Sequence, residues 1–462
     1  MPGAFHGLGI ATSALRAFQR AIEVTGNNIS NANTKGYSRQ RIELQSSTPL
    51  DFFSTRYSEL GTGVSVQSIN RAREMFLEAR MQSSLGNSGR YSAYADGLRQ
   101  VEAVYNEPGD SGIANALDQM FNAWSAVASN PSDSASRQQL VNAASLLTSR
   151  VRDTYKNLST LEDQVHQTVT ANVESVNNIG ARLAQLNGEI RAASVAGGSP
   201  NSLLDERDGL VRDLSKLIGV STTIGSDGTM AVYAGNYPLV LGSDVNNIPN
   251  TFDAGSQTFT ANGVSFVVRG GEIMGNLSTL QRLASAKSEL DTLANTMKTQ
   301  FNALHSTGTN LLGNTGVNFF KDTVSPTPQT GAIDFEVDAA ILANPRAIAA
   351  GTSGAAGDGT LALQLSQMKE TKFAALGNQT IQGFYGSHVS GISKDITFFS
   401  AQLDTASAIV NQIDAQQESI SGVNIDDEMT DLLRYQRSYQ AAAKVLTIMD
   451  QVTEDLINMV RR

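Results

Sequence analysis

The stretch NNISNANTKGYSRQ, residues 27–40, places four asparagines in seven positions and then a glycine, and it runs into the alternating YSRQRIELQS of residues 37–46. Upstream, Leu8, Ala11, Leu15, Phe18, Ile22, Thr25, Ile29 and Ala32 recur at alternating spacings of three and four. That is the a/d seam of a helix that packs along another helix. Asn and Gly end helices in the left-handed conformation, so NTKG predicts the stop. SRQRIELQSS (38–47) and GVSVQSINR (63–71) then predict two strands joined by a long excursion. A lone amphipathic surface helix would carry the same stripe; only a partner distinguishes the two.

The other end of the chain supplies a candidate. Met429, Leu432, Tyr435, Tyr439, Ala442, Leu446, Met449, Val452 and Leu456 form a second apolar stripe. Asn424 and the acidic run Asp426, Asp427, Glu428 suit its N-terminus, where carboxylates meet the positive end of the helix dipole. The antiparallel pairing to expect brings Leu8, Leu15, Phe18, Ile22 and Ile29 against Met429, Leu432, Tyr439, Leu446, Met449 and Leu456. These eleven are the candidate packing and partner-binding residues.

Between the ends the text is mostly helical. Leu147, Val151, Leu158, Leu161, Val165, Val169, Val176, Ile179, Leu183, Leu186 and Ile190 sustain one long helix that AGGSP (196–200) breaks. Residues 219–275 change character. TTIGSDGTMAVYAG and QTFTANGVSFVVRGG each set an Asx-Gly turn, Asp227-Gly228 and Asn262-Gly263, between β-rich runs, a strong hairpin signal. GAIDFEV (331–337) is a further strand candidate. The expected fold class is mainly α with a β-rich insertion (α+β): long antiparallel helices, a terminal helical coiled coil and a small outer β domain. Residues 1–33 and 426–462 form the coiled coil. Residues 34–218, 276–310 and 361–425 form a helical rod domain with a β-hairpin excursion near 38–71. Residues 219–275 and 311–360 form the outer β-rich domain.

Composition narrows the function. The 34 basic and 44 acidic side chains give a formal charge of −10, against the basic face of a nucleic-acid binder. Cysteine is absent, which removes disulfides, thiolate nucleophiles and sulfur-rich metal sites together. No stretch approaches the roughly 18 apolar residues of a membrane span. The first twenty residues lack the charged region and unbroken apolar core of a cleaved secretion signal. His6, His166, His305 and His388 stand singly, without a partner at metal-ligand spacing. The charges of LLDERDGL (203–210) read as a solvated helix face, and the acids at 426–428 lack calcium-loop spacing. No metal, cofactor or catalytic constellation is expected.

NNISNANTKGYSRQ resembles the N-terminal signature of the flagellar rod, hook and hook-associated family, and its GYSRQ ending is similar to the hook-associated, filament-junction members. SGVNIDDEMTDLLRYQRSYQAAAKVL (421–446) resembles the family's C-terminal signature. NPSDSASRQQLVNAASLL (130–147), SLLDERDGLVRDLSKLIGV (202–220) and NPRAIAAGTSGAAGDGTLALQL (344–365) resemble the same members. The resemblance implies a non-enzymatic structural protein that forms a ring between hook and filament and contacts hook protein, identical subunits and a second junction protein. It also implies export through the flagellar type III route, without a cleaved signal, to the flagellum outside the cell. An export chaperone would bind the C-terminal helix. The alternatives are another axial protein, the hook or the second junction protein, or a secreted cell-wall glycan hydrolase carried on flagellar-type helices. A carboxylate pair in a cleft of residues 219–360 would mark the hydrolase.

The physical balance suits assembly. Each large seam residue gains about 1.5–3 kcal/mol when fully buried, and each ordered residue costs about 1–2 kcal/mol of backbone entropy. Two helices sharing one narrow seam are therefore marginal alone, and identical neighbours would bury more of them.

Overall fold

The computed structural model describes residues 3–48, 50–51, 59–261, 263–322 and 331–460. Helix α1 (Gly3–Ser30) leads into strands β1 (Gln40–Ser46), β2 (Leu50–Asp51), β3 (Glu59–Leu60) and β4 (Val64–Arg71). Four helices follow: α2 (Met75–Tyr105), α3 (Ile113–Ser129), α4 (Ser134–Val195) and α5 (Asn201–Ile218). Then come β5 (Ser221–Ile224), β6 (Met230–Ala234), β7 (Tyr237–Leu241), β8 (Asp244–Val245), β9 (Phe252–Asp253), β10 (Thr258–Ala261) and β11 (Val264–Val267). The chain closes with α6 (Gly271–His305), β12 (Thr309–Asn310), α7 (Ala339–Ala343), β13 (Ala349–Gly351), α8 (Thr360–Gln367), α9 (Ile381–Ser421) and α10 (Ile425–Val460).

Local chemistry sets these boundaries. Asp133 begins α4 by accepting from the backbone N–H of Ser136 at 2.9 Å, an N-cap. The helix then runs for 62 residues with Leu147, Val151, Leu158, Val169, Val176 and Leu186 buried, and it stops at the AGGSP break, where Gly197 has φ +78°. Asn424 accepts from Asp426 N–H at 3.0 Å and starts α10. Gly36, φ +84°, closes the turn after α1.

The chain divides into two compact units. The first comprises Met1–Gly86, Val176–Ile248 and Ala406–Arg462. Here α1 lies along α10, and β1 pairs antiparallel with β4 from Gln40↔Arg71 to Ser46↔Val64. Strands β5-β6-β7-β8 form a four-stranded sheet whose Met230, Val232, Ala234, Leu239 and Val240 are buried. Asn187 of α4 bonds Met230 N–H, Met230 C=O and Gly242 C=O of that sheet at 2.8–2.9 Å.

The second unit comprises Asn87–Ser175 and Pro249–Thr405. Trp124, Phe301, Phe319, Phe320 and Phe335 make its aromatic core, each at most 0% exposed, with Trp124 and Phe319 centred 4.8 Å apart. His305 sits among them: its Nδ1 lies 2.7 Å from Val317 O, and its Nε2 accepts from Ala349 N–H at 2.9 Å. Burial pushes its pKa down to about 4. Arg137, 1% exposed, donates to Pro131 O at 2.6 Å and Ile348 O at 2.7 Å. Two of the quoted motifs, NPSDSAS and NPRAIA, meet through this one guanidinium.

The β-rich middle departs from its expected grouping. Strands β5–β8 fall in the first unit and β9–β11 in the second. The cause is side-chain anchoring: Asn187 and Arg207 hold the first sheet, Arg207 through Gly228 O at 2.8 Å, whereas Phe252 of the second stacks on His166 at 5.2 Å. Nor do residues 311–360 form an outer layer, because Phe319, Phe320, Phe335 and Ile348 enter the core. GAIDFEV is a strand only at its end: residues 331–334 form a turn, where the Asp291 carboxylate takes Ala332 N–H at 2.7 Å, and Val337 makes an isolated antiparallel bridge with Phe320. The Asp227-Gly228 turn does connect paired strands, Ile224↔Met230. Of the other, Ala261 pairs with Val264 and Gly263 has φ +78°, while Asn262 lies outside the described residues.

Candidate functional site

The two ends of the chain form one antiparallel helical pair. A Cβ on Gly7 would meet Met449 Sδ at 3.0 Å, and Asn28 Nδ2 donates to Glu428 Oε2 at 2.9 Å. From Gly7 to Asn28 is 28 − 7 = 21 residues, and from Glu428 to Met449 is 449 − 428 = 21. The helices therefore keep a single register over three heptads. In that register Ile22 lies level with Arg434, Phe18 with Ser438 and Leu15 with Ala441. Leu432 and Tyr439 thus fall within two positions of those levels, and Leu446 within five.

The innermost positions are small or polar. Ala11, Ala21, Thr25 and Asn28 are buried on α1, and Glu428 and Ala442 on α10. Leu8, Leu15, Phe18, Ile22 and Ile29 are half-buried, as are Leu432, Leu446 and Met449. Met429, Tyr439 and Leu456 are exposed. The expected seam of large residues is thereby corrected. Close approach selects small side chains at the centre line, and the large ones flank it.

The exposed remainder of α10 is unusually apolar. Ile425, Met429, Leu433, Tyr439, Val445, Ile448, Val452, Leu456, Ile457 and Met459 are ten of the 25 exposed large hydrophobic residues in the described structure. Surface of this kind marks a site of association. At 100° per residue, Ile425, Met429 and Leu433 point about 140° away from the stripe made by Val445, Ile448, Val452, Leu456 and Met459. The helix offers two separate apolar stripes.

At the other end of the pair lies a polar joint. Asn28 uses its whole amide: Nδ2 donates to Glu428 and to Gln40 O at 2.9 Å, and Oδ1 accepts from Gln40 N–H at 2.9 Å and Tyr37 OH at 2.8 Å. Arg39 Nε donates to Glu428 Oε1 at 2.6 Å, with these side chains 15% and 3% exposed. Arg39 N–H bonds Ser421 O at 2.9 Å, and Ala72 N–H bonds Arg39 O at 2.8 Å. Beside this group, Arg71 reaches Asp205 and Asp208, each at 2.8 Å. Arg73 pairs with Asp208 and with Glu78, and Arg212 pairs with Glu78 at 2.8 Å. Gln417 bonds both Glu78 and Arg212 at 2.7 Å.

Charge balance governs the ionisation of these groups. Burial raises the Glu78 pKa, but Arg73 and Arg212 outweigh it and hold the carboxyl below its ordinary value. Burial lowers the pKa of Arg71, and Asp208 and Asp205 more than restore it. The Tyr37 phenol is pushed up to about 12 by burial, with Asp205 and Glu428 adding to the shift.

Sequence reasoning missed this joint. LLDERDGL read as a solvated face, yet Arg207 is 2% exposed, and Asp205 and Asp208 are the partners of Arg71 and Arg73. The available signal was the number of charges: RQR at 39–41, RAR at 71–73 and DERD at 205–208 cannot be paired within their own segments. Of the acids at 426–428, only Glu428 turns inward. Among the described residues no group of three or more His, Asp or Glu is placed to hold a metal ion, and no helix is long and apolar enough to cross a membrane.

Comparisons with known proteins match this layout. Residues 98–320 match the model described as Flagellar hook-associated protein FlgK helical domain. Residues 8–37 match Flagella basal body rod protein, and residues 417–459 match Flagellar basal body rod FlgEFG protein C-terminal. Flagellar hook-associated protein 1 of Bacillus subtilis is 26% identical over 503 residues, covering 99% of each chain. Its namesake in Salmonella typhimurium is 25% identical over 555 residues, covering 97% of this chain and 99% of that one. The solved structure of the flagellar hook junction protein FlgK from Burkholderia pseudomallei superposes with a TM-score of 0.64 at 20% identity, over 74% of this chain and all of that one. This last likeness concerns the fold.

Proposed function

Because this chain belongs to the flagellar hook-associated protein 1 family, we propose that it is the structural element of the bacterial flagellum that joins hook to filament. The observation that carries the reading is the α1–α10 pair, one helix from each terminal signature, with two apolar stripes left open on α10. Neighbouring copies of the same chain cover those stripes in a ring. Hook protein and the second junction protein then meet the ring on its two sides. The family assignment favours this role over the hook, the second junction protein and the glycan hydrolase, and no catalytic step is part of it.

The same helix serves a second partner before assembly. An exposed apolar surface of this length invites premature association, and an export chaperone can cover it by helix-in-groove contacts. The protein then leaves by the flagellar type III route without a cleaved signal and works outside the cell. Complementation is the test: in cells lacking their own junction protein, expression of this chain should restore filament attachment. Filament subunits lost to the medium despite secretion of the chain would defeat the proposal.

A further inference from the structure

Helix α2 is fastened near its start and again past its middle, and only loosely in between. Near the start Leu77 and Met81 are buried, Glu78 pairs with Arg73 and Arg212, and Gln82 Nε2 donates to Thr222 Oγ1 at 3.2 Å. Farther on, Gly275 of α6 comes so close that a Cβ there would sit 2.5 Å from Arg90 O and 2.9 Å from Tyr94 N. The Tyr94 ring packs on Phe399 of α9 at 4.7 Å, and Ala95, Leu98 and Val101 are fully buried. Between these anchors runs SSLGNSG, residues 83–89. Its buried residues are Gly86 and Gly89, which have no side chain to pack, while Ser83 and Asn87 are exposed. Six of the seven residues are glycine, serine or asparagine. Glycine is the poorest helix former after proline, and serine and asparagine compete with the helix for backbone hydrogen bonds. Helices that kink sharply without proline often do so at glycine and serine. Helix α4 is the contrast: it has no glycine from Ser134 to Ile179, and Leu147, Val151, Leu158 and Leu161 are buried along it.

We propose that residues 83–89 of α2 are a bending joint, a stretch of helix that opens and recloses while the helix on either side stays folded. Opening is cheap there because helix propensity is low and no large side chain has to leave a core. The anchors at 77–82 and 90–101 stop it from spreading, so it is decoupled from unfolding of the rest. The buried glycines also admit the opposite reading, a close and rigid helix contact, in which these residues would be as well protected as their neighbours. This inference rests on α2 alone and is independent of the proposed place in the flagellum.

Two measurements on the full-length chain test it. In hydrogen exchange, amides of residues 84–90 should exchange at least tenfold faster than those of 78–82 and 97–103. Ser83→Ala combined with Asn87→Ala, at two exposed positions, should slow that exchange about fivefold and leave the flanks unchanged. The chain has no cysteine, so Ala79→Cys with Gln100→Cys supplies the only two sites for spin labels, about 32 Å apart along a straight helix. Pulsed dipolar electron paramagnetic resonance should give a distance distribution at least twice as wide as that of Asn142→Cys with Asp163→Cys, the same spacing on α4. The two alanine substitutions should narrow it. Equal protection along α2, or a distribution no wider than that of the α4 pair, would overturn the joint. So would residues 78–82 exchanging as fast as 84–90, which is fraying from the Met75 end, or alanine substitutions that change neither measurement.

Discussion

Asn28 and Glu428 stand 400 residues apart in the chain and 2.9 Å apart in space. Removing one partner of a buried charged pair costs about 3–5 kcal/mol, because the other charge is left without compensation. Glu428→Ala strands Arg39 and should lose stability on that scale. Glu428→Gln keeps one acceptor oxygen for Arg39 but turns its NH2 toward the Asn28 donor, and it should lose less than the alanine. Denaturant unfolding followed by far-ultraviolet circular dichroism gives both values. Equal losses would show that the carboxylate charge, and not the hydrogen bond an amide can keep, is what holds the joint.

His305 makes the second unit sensitive to acid. Its pKa is about 4 when folded, against an ordinary 6.5, so between these values the unfolded chain binds the proton that the folded chain refuses. The contribution is complete above pH 6.5 and falls away as the pH drops toward 4, by about 3 kcal/mol in all. Trp124, the single tryptophan, touches the His305 ring at 6.1 Å and reports this unit by fluorescence. Urea midpoints should decline from pH 7 to pH 4.5 in wild type, and the decline should shrink in His305→Asn.

Among the described residues Arg137 donates to three backbone carbonyls and to no carboxylate, with Pro345 O the third at 3.3 Å. Burial lowers its pKa to about 10, but the guanidinium stays charged at neutral pH. Arg137→Met should leave those carbonyls unpaired at about 1–3 kcal/mol each before relaxation. The second unit should therefore unfold at lower urea, read again from Trp124. An unchanged midpoint would mean that the two Asn-Pro motifs are held together by packing alone.

Two glycines should respond oppositely to alanine. A Cβ on Gly275 would sit 2.5 Å from Arg90 O and 2.9 Å from Tyr94 N, so α6 and α2 touch backbone to backbone there. Gly275→Ala should destabilise by about 1–3 kcal/mol, the cost of overpacking. Gly209 in α5 has nothing within 4 Å, and Gly209→Ala should stabilise by about 0.5–1 kcal/mol. Thermal melts of the two variants should move in opposite directions.

The fold was legible wherever period and punctuation agreed. The α4 stripe, the AGGSP break, the Asn424 cap and the Asp227-Gly228 turn all follow from local rules. What stayed hidden depends on partners far away in the chain. Asp205, Asp208 and Glu428 look like surface acids until Arg71, Arg73 and Arg39 arrive to neutralise them. GAIDFEV alternates like a strand but yields its Ala332 N–H to Asp291. The terminal stripes were visible, yet their centre line was not, since apolar period alone favours Leu and Phe over the Ala and Asn that close approach demands.

The central claim is that the outward stripes of α10 bind neighbouring copies. Val445 and Ile448, 44% and 51% exposed, can be changed together to Asp with little effect on the single chain. The control changes Asp431 and Arg434 to Ala, an exposed pair worth at most about 1 kcal/mol. Filament attachment is measured in cells lacking their own junction protein, with secretion of each variant verified. The account predicts that the Val445→Asp, Ile448→Asp chain is secreted but leaves cells without attached filaments, whereas the control restores them. Normal filaments on cells carrying the doubly charged stripe would contradict it.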